Sequence, residues 1–286
     1  MSSDKNRYYD RNSLDLIETV ERKSPVKNKD GSVDTRRKAN IGDIKKIGGL
    51  PSVTSIIHDV YARSMKLNEY ITSNLVKACL TTPFPQMEDS SKFDEYFSRY
   101  QEQVVEKASE LAEAAAKRGK ELHKYVNGWI SHGERPEDPV AAKICDALKQ
   151  YGEEYGIVEF GEEEHLGSAA LGFAGSPDIT GRTDKGIFIF DLKTTDIRDK
   201  KGKLKFVKFS DLYDEWKLQL CSYLLLVKEC RREQDFTLVQ LIADRNTGET
   251  AFIQYEGQEE WSRGFVCLLN LWVLKHGYDP RTWSIT

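Results

Sequence analysis

The chain has 286 residues, 39% of them hydrophobic and 31% charged, with a formal net charge of −4. That length accommodates a substantial core in one large domain or two small ones. The slightly acidic balance excludes nucleic-acid binding by bulk attraction, so any positive charge serving such a ligand must be local.

No apolar run reaches the ~18–20 residues that span a bilayer, and the first forty residues have neither an apolar h-region nor the acid-poor composition of a transit peptide. We therefore expect no membrane association and a cytoplasmic location, in a bacterium or a phage-infected host. Cys79, Cys145, Cys221, Cys230 and Cys267 form no CxxC pair and are odd in number, which excludes a disulfide framework or a zinc ribbon. In their helical, apolar contexts they read as small buried hydrophobes in a reducing compartment.

Residues 1–48 are polar and read as a mobile N-terminal arm, with a short helix near Ser13–Arg22 and a basic cluster at Arg36–Lys38. The packed domain, 49–286, starts at "GGLPSVTSII", where Ser52 or Thr54 can cap a helix that continues toward Cys79. A long helical region covers about Lys92 to His132, with a kink or junction near Arg118–Gly119. Within it Gly119, Leu122, Val126, Trp129 and Ile130 form an apolar stripe, and His123 borders it. Alone, His123 reads as a packed, hydrogen-bonded histidine; a ligand role needs partners its own spacing does not supply. A loop "GERPEDP" precedes a helix at 139–155.

The period then changes, and 157–166, 171–181 and 187–193 read as three consecutive strands. The first carries "EEEH", Glu162 to His165, which alone is either an exposed acidic strand or the source of one inward carboxylate. The turn "GRTDKG" centres a hairpin between Asp184 and Lys185. That register places Asp178 opposite Asp191, with Cβ atoms ~5 Å apart. On the second strand Phe188, Phe190 and Leu192 face one way; Ile187, Ile189, Asp191 and Lys193 face the other. Taken alone, Asp191 and Lys193 suit a strand-end ion pair. The opposed Asp178 argues for more, because facing carboxylates repel unless a cation sits between them. A divalent hard cation with oxygen ligands is the natural occupant, and magnesium needs one or two carboxylates plus substrate phosphate.

Next comes "RDKKGKLKFVK", with Arg198, Lys200, Lys201, Lys203, Lys205 and Lys208 against one acid. It is tethered beside Lys193 and reads as a loop that contacts phosphate, with Phe206 and Phe209 placed to stack on bases. Residues 211–230 return to helical spacing, where Gln219 and Tyr223 share a face and either hold a phosphate or cap the sheet edge. Strands at 236–243 and 250–255 and a helix at 257–275 follow, for a mixed α/β domain with one central sheet.

"GSPD", with "DLK" thirteen residues later, resembles the PD-(D/E)XK nuclease signature. "RGKELH" upstream, the preceding glutamate strand and "QLCSY" downstream resemble its RecB-type branch, and "LPSVTSII" adds a likeness to mitochondrial genome maintenance exonucleases and related phage exonucleases. The resemblance runs from about Leu50 to Leu226. It implies a restriction-endonuclease-like α/β core with a helical N-terminal wrap. The activity it implies is an exonuclease dependent on Mg2+, with Mn2+ substituting, acting on DNA with single-stranded or free ends in replication, repair or recombination. It also implies His123, Glu163, Asp178, Asp191 and the Leu192 carbonyl as metal ligands, Lys193 as the group that orients or deprotonates the attacking water, and Gln219 and Tyr223 as positioners of the scissile strand. No C-terminal cysteine cluster is present for an iron–sulfur centre. The other readings are a phage-type recombination exonuclease on duplex ends and a catalytically silent nucleic-acid-binding module.

Overall fold

The computed structural model describes residues 7–27, 32–61, 65–83, 90–199, 201–231, 235–255 and 257–283. Its elements, in chain order, are β1 (Tyr8–Tyr9), β2 (Thr19–Lys27), β3 (Val33–Lys38), α1 (Ile41–Ile47), β4 (Leu50–Pro51), α2 (Val53–Val60), α3 (Met65–Thr81), α4 (Phe93–His132), α5 (Pro139–Tyr155), β5 (Glu159–Gly161), β6 (Leu166–Ser168), β7 (Phe173–Gly175), β8 (Ile179–Arg182), β9 (Ile187–Thr195), α6 (Asp214–Arg231), β10 (Phe236–Asp244), β11 (Thr250–Gln254) and α7 (Gln258–His276).

The central sheet has five strands in the order β11-β10-β9-β8-β5. β9 and β10 are parallel; the other pairs are antiparallel. This mixed sheet between helices matches the α/β domain that the sequence pattern suggests and the restriction-endonuclease-like core that the resemblance implies. The alternation of β9 sorts its side chains into two cores. Phe188, Phe190 and Leu192 pack with Leu122 and Val126 of α4 and Ile144 and Leu148 of α5. Ile187 and Ile189 pack with Leu220 and Leu224 of α6, Phe265 of α7 and Ile56 of α2. Hydrophobic burial on both faces holds this strand rigidly at the centre of the domain.

The helices that position the site are locally specified. Ser52 caps α2 by accepting from the Ser55 N–H, and Asp138 caps α5 by accepting from Val140 and Ala141, with Pro139 in the first turn. Asp138 also takes a forked pair of hydrogen bonds from Arg118, at 2.9 and 3.1 Å, tying α4 to α5. α4 is 40 residues long, about 60 Å at 1.5 Å per residue, and continues unbroken through Arg118–Gly119 where the sequence suggests a junction. Gly119 is instead a close-approach point: a Cβ there would lie 2.7 Å from Thr194 Oγ1 on β9.

Several local expectations are corrected. The N-terminal residues do not form a helix at 13–22. β2 and β3 pair as an antiparallel hairpin, α1 carries a capping box from Asn40 and Asp43, and β1 pairs with β4. Tyr8, Tyr9 and Ile44 are buried, so apolar side chains spaced too sparsely to show a period still anchor this stretch. The strands expected at 157–166 and 171–181 each break in two. β6 and β7 form a separate hairpin, and Glu162–His165 is a loop between β5 and β6. Of the cysteines, only Cys145 and Cys221 are buried; Cys79, Cys230 and Cys267 are exposed, and all five are free thiols.

Gly119→Val should destabilise the protein by about 1–3 kcal/mol through overpacking against β9, although valine is the better helix former. The check is a lower urea midpoint at unchanged m-value; an unchanged midpoint would show that the contact yields freely.

Candidate active site

The hairpin adopts the register read from its turn: β8 pairs Ile179 with Phe190 and Arg182 with Ile187. Asp178 immediately precedes β8, and its Oδ2 accepts from the Leu192 backbone N–H at 2.8 Å, which holds it beside Asp191. Asp191 is wholly buried, with 1% of its side chain exposed. Lys193 Nζ lies 2.9 Å from Asp191 Oδ1 and 2.7 Å from Oδ2. From α4, His123 Nδ1 lies 3.5 Å from Asp178 Oδ1. From α6, Gln219 Oε1 accepts from Lys193 at 3.1 Å and its Nε2 donates to Tyr223 OH at 2.7 Å. A side chain at Gly175 would place its Cβ 2.8 Å from Tyr223 Cε1, so this glycine lets α6 approach the "GSPD" segment.

Two groups that the sequence reading missed complete the cluster. Gln240 on β10, the register partner of Asp191, donates to the Asp191 carbonyl at 2.5 Å and to Oδ2 at 2.7 Å. Tyr255, just past β11, donates to Gln240 Oε1 at 2.9 Å. The only trace in the sequence is one amide inside the apolar run "FTLVQLIAD".

The electrostatics follow from burial and proximity. Burial pushes Asp178 upward, but the charge and hydrogen bond of His123, with Lys193 and the Leu192 N–H, outweigh it and hold the carboxyl below its ordinary range. Burial raises Asp191; Lys193 opposes, the Asp178 charge adds to the rise, and the net direction is upward. Burial would lower His123, yet Asp178 raises it overall. Two carboxylates at one site are thus driven apart in acidity. Glu163, in the loop between β5 and β6, is raised by desolvation of its carboxyl and then by the Asp178 charge; among the described residues it makes no hydrogen bond to the other candidates. Burial, then Asp191 and Asp178, push Tyr223 well above its usual value.

The loop after β9 departs from expectation. Phe206 is buried against Tyr213 and Trp216, and Phe209 packs on Tyr255 and Trp261. Neither is placed to stack on bases; both anchor the loop. Arg198 is engaged by Glu249 and by the Gly202 carbonyl. Lys201, Lys203, Lys205 and Lys208 are exposed, and Lys200 lies outside the described residues.

Over residues 55–270 the sequence matches the PD-(D/E)XK nuclease superfamily. The chain belongs to this superfamily. Its members are nucleases, which implies a nucleic-acid substrate, and they generally use divalent metals. No curated protein matches the chain. Among solved structures, a candidate exonuclease from Eubacterium rectale is 12% identical, with a TM-score of 0.37 over 75% of this chain and 86% of that one. A protein designated SSO0001 is 15% identical, with a TM-score of 0.25 over 73% and 88% of the two chains. Likenesses this loose carry no functional argument. Among the described residues no three His, Cys, Asp or Glu side chains form a ready-made metal cluster; the Asp178 and Asp191 oxygens are engaged by Leu192, His123, Lys193 and Gln240 instead. The residue types still suit a divalent cation, because carboxylates and imidazole are its ordinary ligands, and the Lys193 ammonium now pairs with Asp191 while His123 stands beside Asp178.

Lys193→Ala should leave Asp191 buried without its cation. The expected result is a folded state less stable in chelator by about 3 kcal/mol, read as a lower melting temperature and recovered as Mg2+ or Mn2+ is added. Absence of recovery would show that no cation replaces the ammonium.

Proposed function

We propose that the protein is a metal-dependent DNA exonuclease of the RecB-type branch. It hydrolyses phosphodiester bonds from single-stranded ends in replication, repair or recombination, with Mg2+ as the natural ion and Mn2+ able to substitute. The observation that carries the reading is the pair of the half-buried Asp178 and the wholly buried Asp191, drawn together by the hairpin with Lys193 directly on Asp191. A silent binding module has no use for a carboxylate pair whose burial is so costly.

Asp178, Asp191, His123 and the Leu192 carbonyl would hold the ion, with Glu163 reaching it directly or through water. The ion supplies Lewis acidity toward a phosphoryl oxygen and a lower pKa for water. Lys193, released from Asp191, presents its ammonium to the attacking water and to the charge that develops on the phosphate. Gln219 orients Lys193 and, with Tyr223, lines the path of the scissile strand. Lys201, Lys203 and Lys205 provide the local positive charge that an acidic chain needs to bind a polyanion, Arg198 bracing the loop through Glu249. Five free thiols accord with a reducing, cytoplasmic location.

End-labelled single and double strands, incubated with Mg2+, with Mn2+ and with chelator, test the reading. Cleavage from single-stranded ends is expected with either ion and none with chelator. Asp178→Asn should abolish turnover, and full activity of that variant in Mg2+ would remove the site assignment. His123→Ala should lose activity in Mg2+ and regain part of it at high Mn2+; loss of thermal stability with no response to metal would make His123 a core residue.

Replacing Lys201, Lys203 and Lys205 with Gln should flatten the salt dependence of single-strand binding by roughly 0.7 per lost phosphate contact. The Michaelis constant should rise while hydrolysis of bound substrate changes little. An unchanged slope would route the DNA over another surface.

A further inference from the structure

Asp191 is oriented by more than its lysine. Behind it lie Gln240, with no exposed surface, and Tyr255, 6% exposed. The hydrogen bonds between them admit one arrangement of the amide. The Asp191 carbonyl and Oδ2 can only accept, so the Gln240 NH2 must face them, at 2.5 and 2.7 Å. That leaves Gln240 Oε1 for the Tyr255 hydroxyl at 2.9 Å. The Tyr255 ring is held in turn by Phe209, with ring centroids 4.9 Å apart. Phe209 also receives the Lys217 ammonium 5.1 Å from its ring centre, and the same ammonium lies 4.9 Å from Trp261.

A buried amide in a run of aliphatic residues is costly unless its groups are satisfied. At this position an aliphatic side chain would pack with Leu238 and Ile242, its neighbours on the same face. The amide is accounted for by what it does to Asp191: two donors on one residue, one to the main chain and one to the carboxylate, allow the side chain a single rotamer. They also place no charge beside the pair, so they orient Asp191 without competing with a cation for it.

We infer that Gln240 and Tyr255 are positioning residues that hold the Asp191 carboxylate in the orientation from which it binds the metal. This rests on the nuclease reading above. The loss of such outer partners commonly weakens metal binding by about 10- to 100-fold.

The test is Mn2+ affinity of the folded protein, measured without DNA by electron paramagnetic resonance of free Mn2+, alongside cleavage as a function of Mn2+ concentration. Tyr255→Phe keeps the packed ring, and Gln240→Leu keeps the volume. Each should raise the Mn2+ dissociation constant about 10-fold or more, shift half-maximal activation by the same factor, and recover much of kcat at saturating Mn2+. A merely structural role would lower the melting temperature and leave the affinity of the folded fraction unchanged. Tyr255→Phe removes a hydroxyl and nothing else, so it carries the test if Gln240→Leu does not fold. Wild-type affinity and activation in a folded Tyr255→Phe, with wild-type protein cleaving DNA normally, would overturn the positioning role alone. A wild-type protein that neither binds Mn2+ nor cleaves would overturn the nuclease reading, and this inference with it.

Discussion

The structure depends on a carboxylate in the middle of a sheet. Taking Asp191 out of water costs several kcal/mol even after relaxation, and each neighbouring element contributes part of the compensation. β9 supplies Lys193 two residues on, on the same face. β10 runs parallel and sets Gln240 directly alongside. α6 brings Gln219 to brace the lysine. Asp178 then adds a second negative charge at the same point, and α4 answers it with His123. The arrangement is coherent only if β9, β10, α6, α4 and the segment leading into β8 stay in register. The two apolar clusters above and below β9 perform that task, since interiors packed to crystal density do not slide.

The N-terminal residues are part of this clamp. β1 pairs with β4, and Ser52 bridges to Ala174 at the edge of the "GSPD" segment. Tyr9 OH lies 3.4 Å from Ser176 Oγ, which is also 2.6 Å from His165 Nδ1. The segment before Asp178 is therefore held from both sides, by the N-terminal strand and by the loop that carries Glu163. Breaking the expected long strands into β5, β6, β7 and β8 makes this possible: a continuous strand through 157–166 would lay Glu163 along the sheet instead of in a loop beside its strand ends.

Positive charge is local, as an acidic chain requires. The loop from β9 to α6 carries Lys201, Lys203, Lys205 and Lys208 outward and its aromatics inward. Phe206 and Phe209 fix it to α6 and to Tyr255, so the lysines stand on an anchored base. Anchoring by aromatic burial, rather than base stacking, is what hydrophobicity dictates when large rings have a core within reach.

What the sequence determined by itself was whatever local periodicity and short-range turns dictate. The α5 span, the hairpin register that opposes Asp178 and Asp191, the two faces of β9, and the sites of α6, β10, β11 and α7 all follow from spacing and turn residues, and the motifs in order lead to the nuclease superfamily. Tertiary structure alone decided the rest, because those features depend on contacts between residues far apart in the chain. Tyr8 and Tyr9 are buried by β4 and α2, partners that no local window shows. Phe206 and Phe209 are drawn inward by Trp216, Tyr255 and Trp261. Gln240 lies 49 residues from Asp191 and becomes its neighbour only through the parallel pairing of β9 with β10, a long-range contact with no local periodic signal.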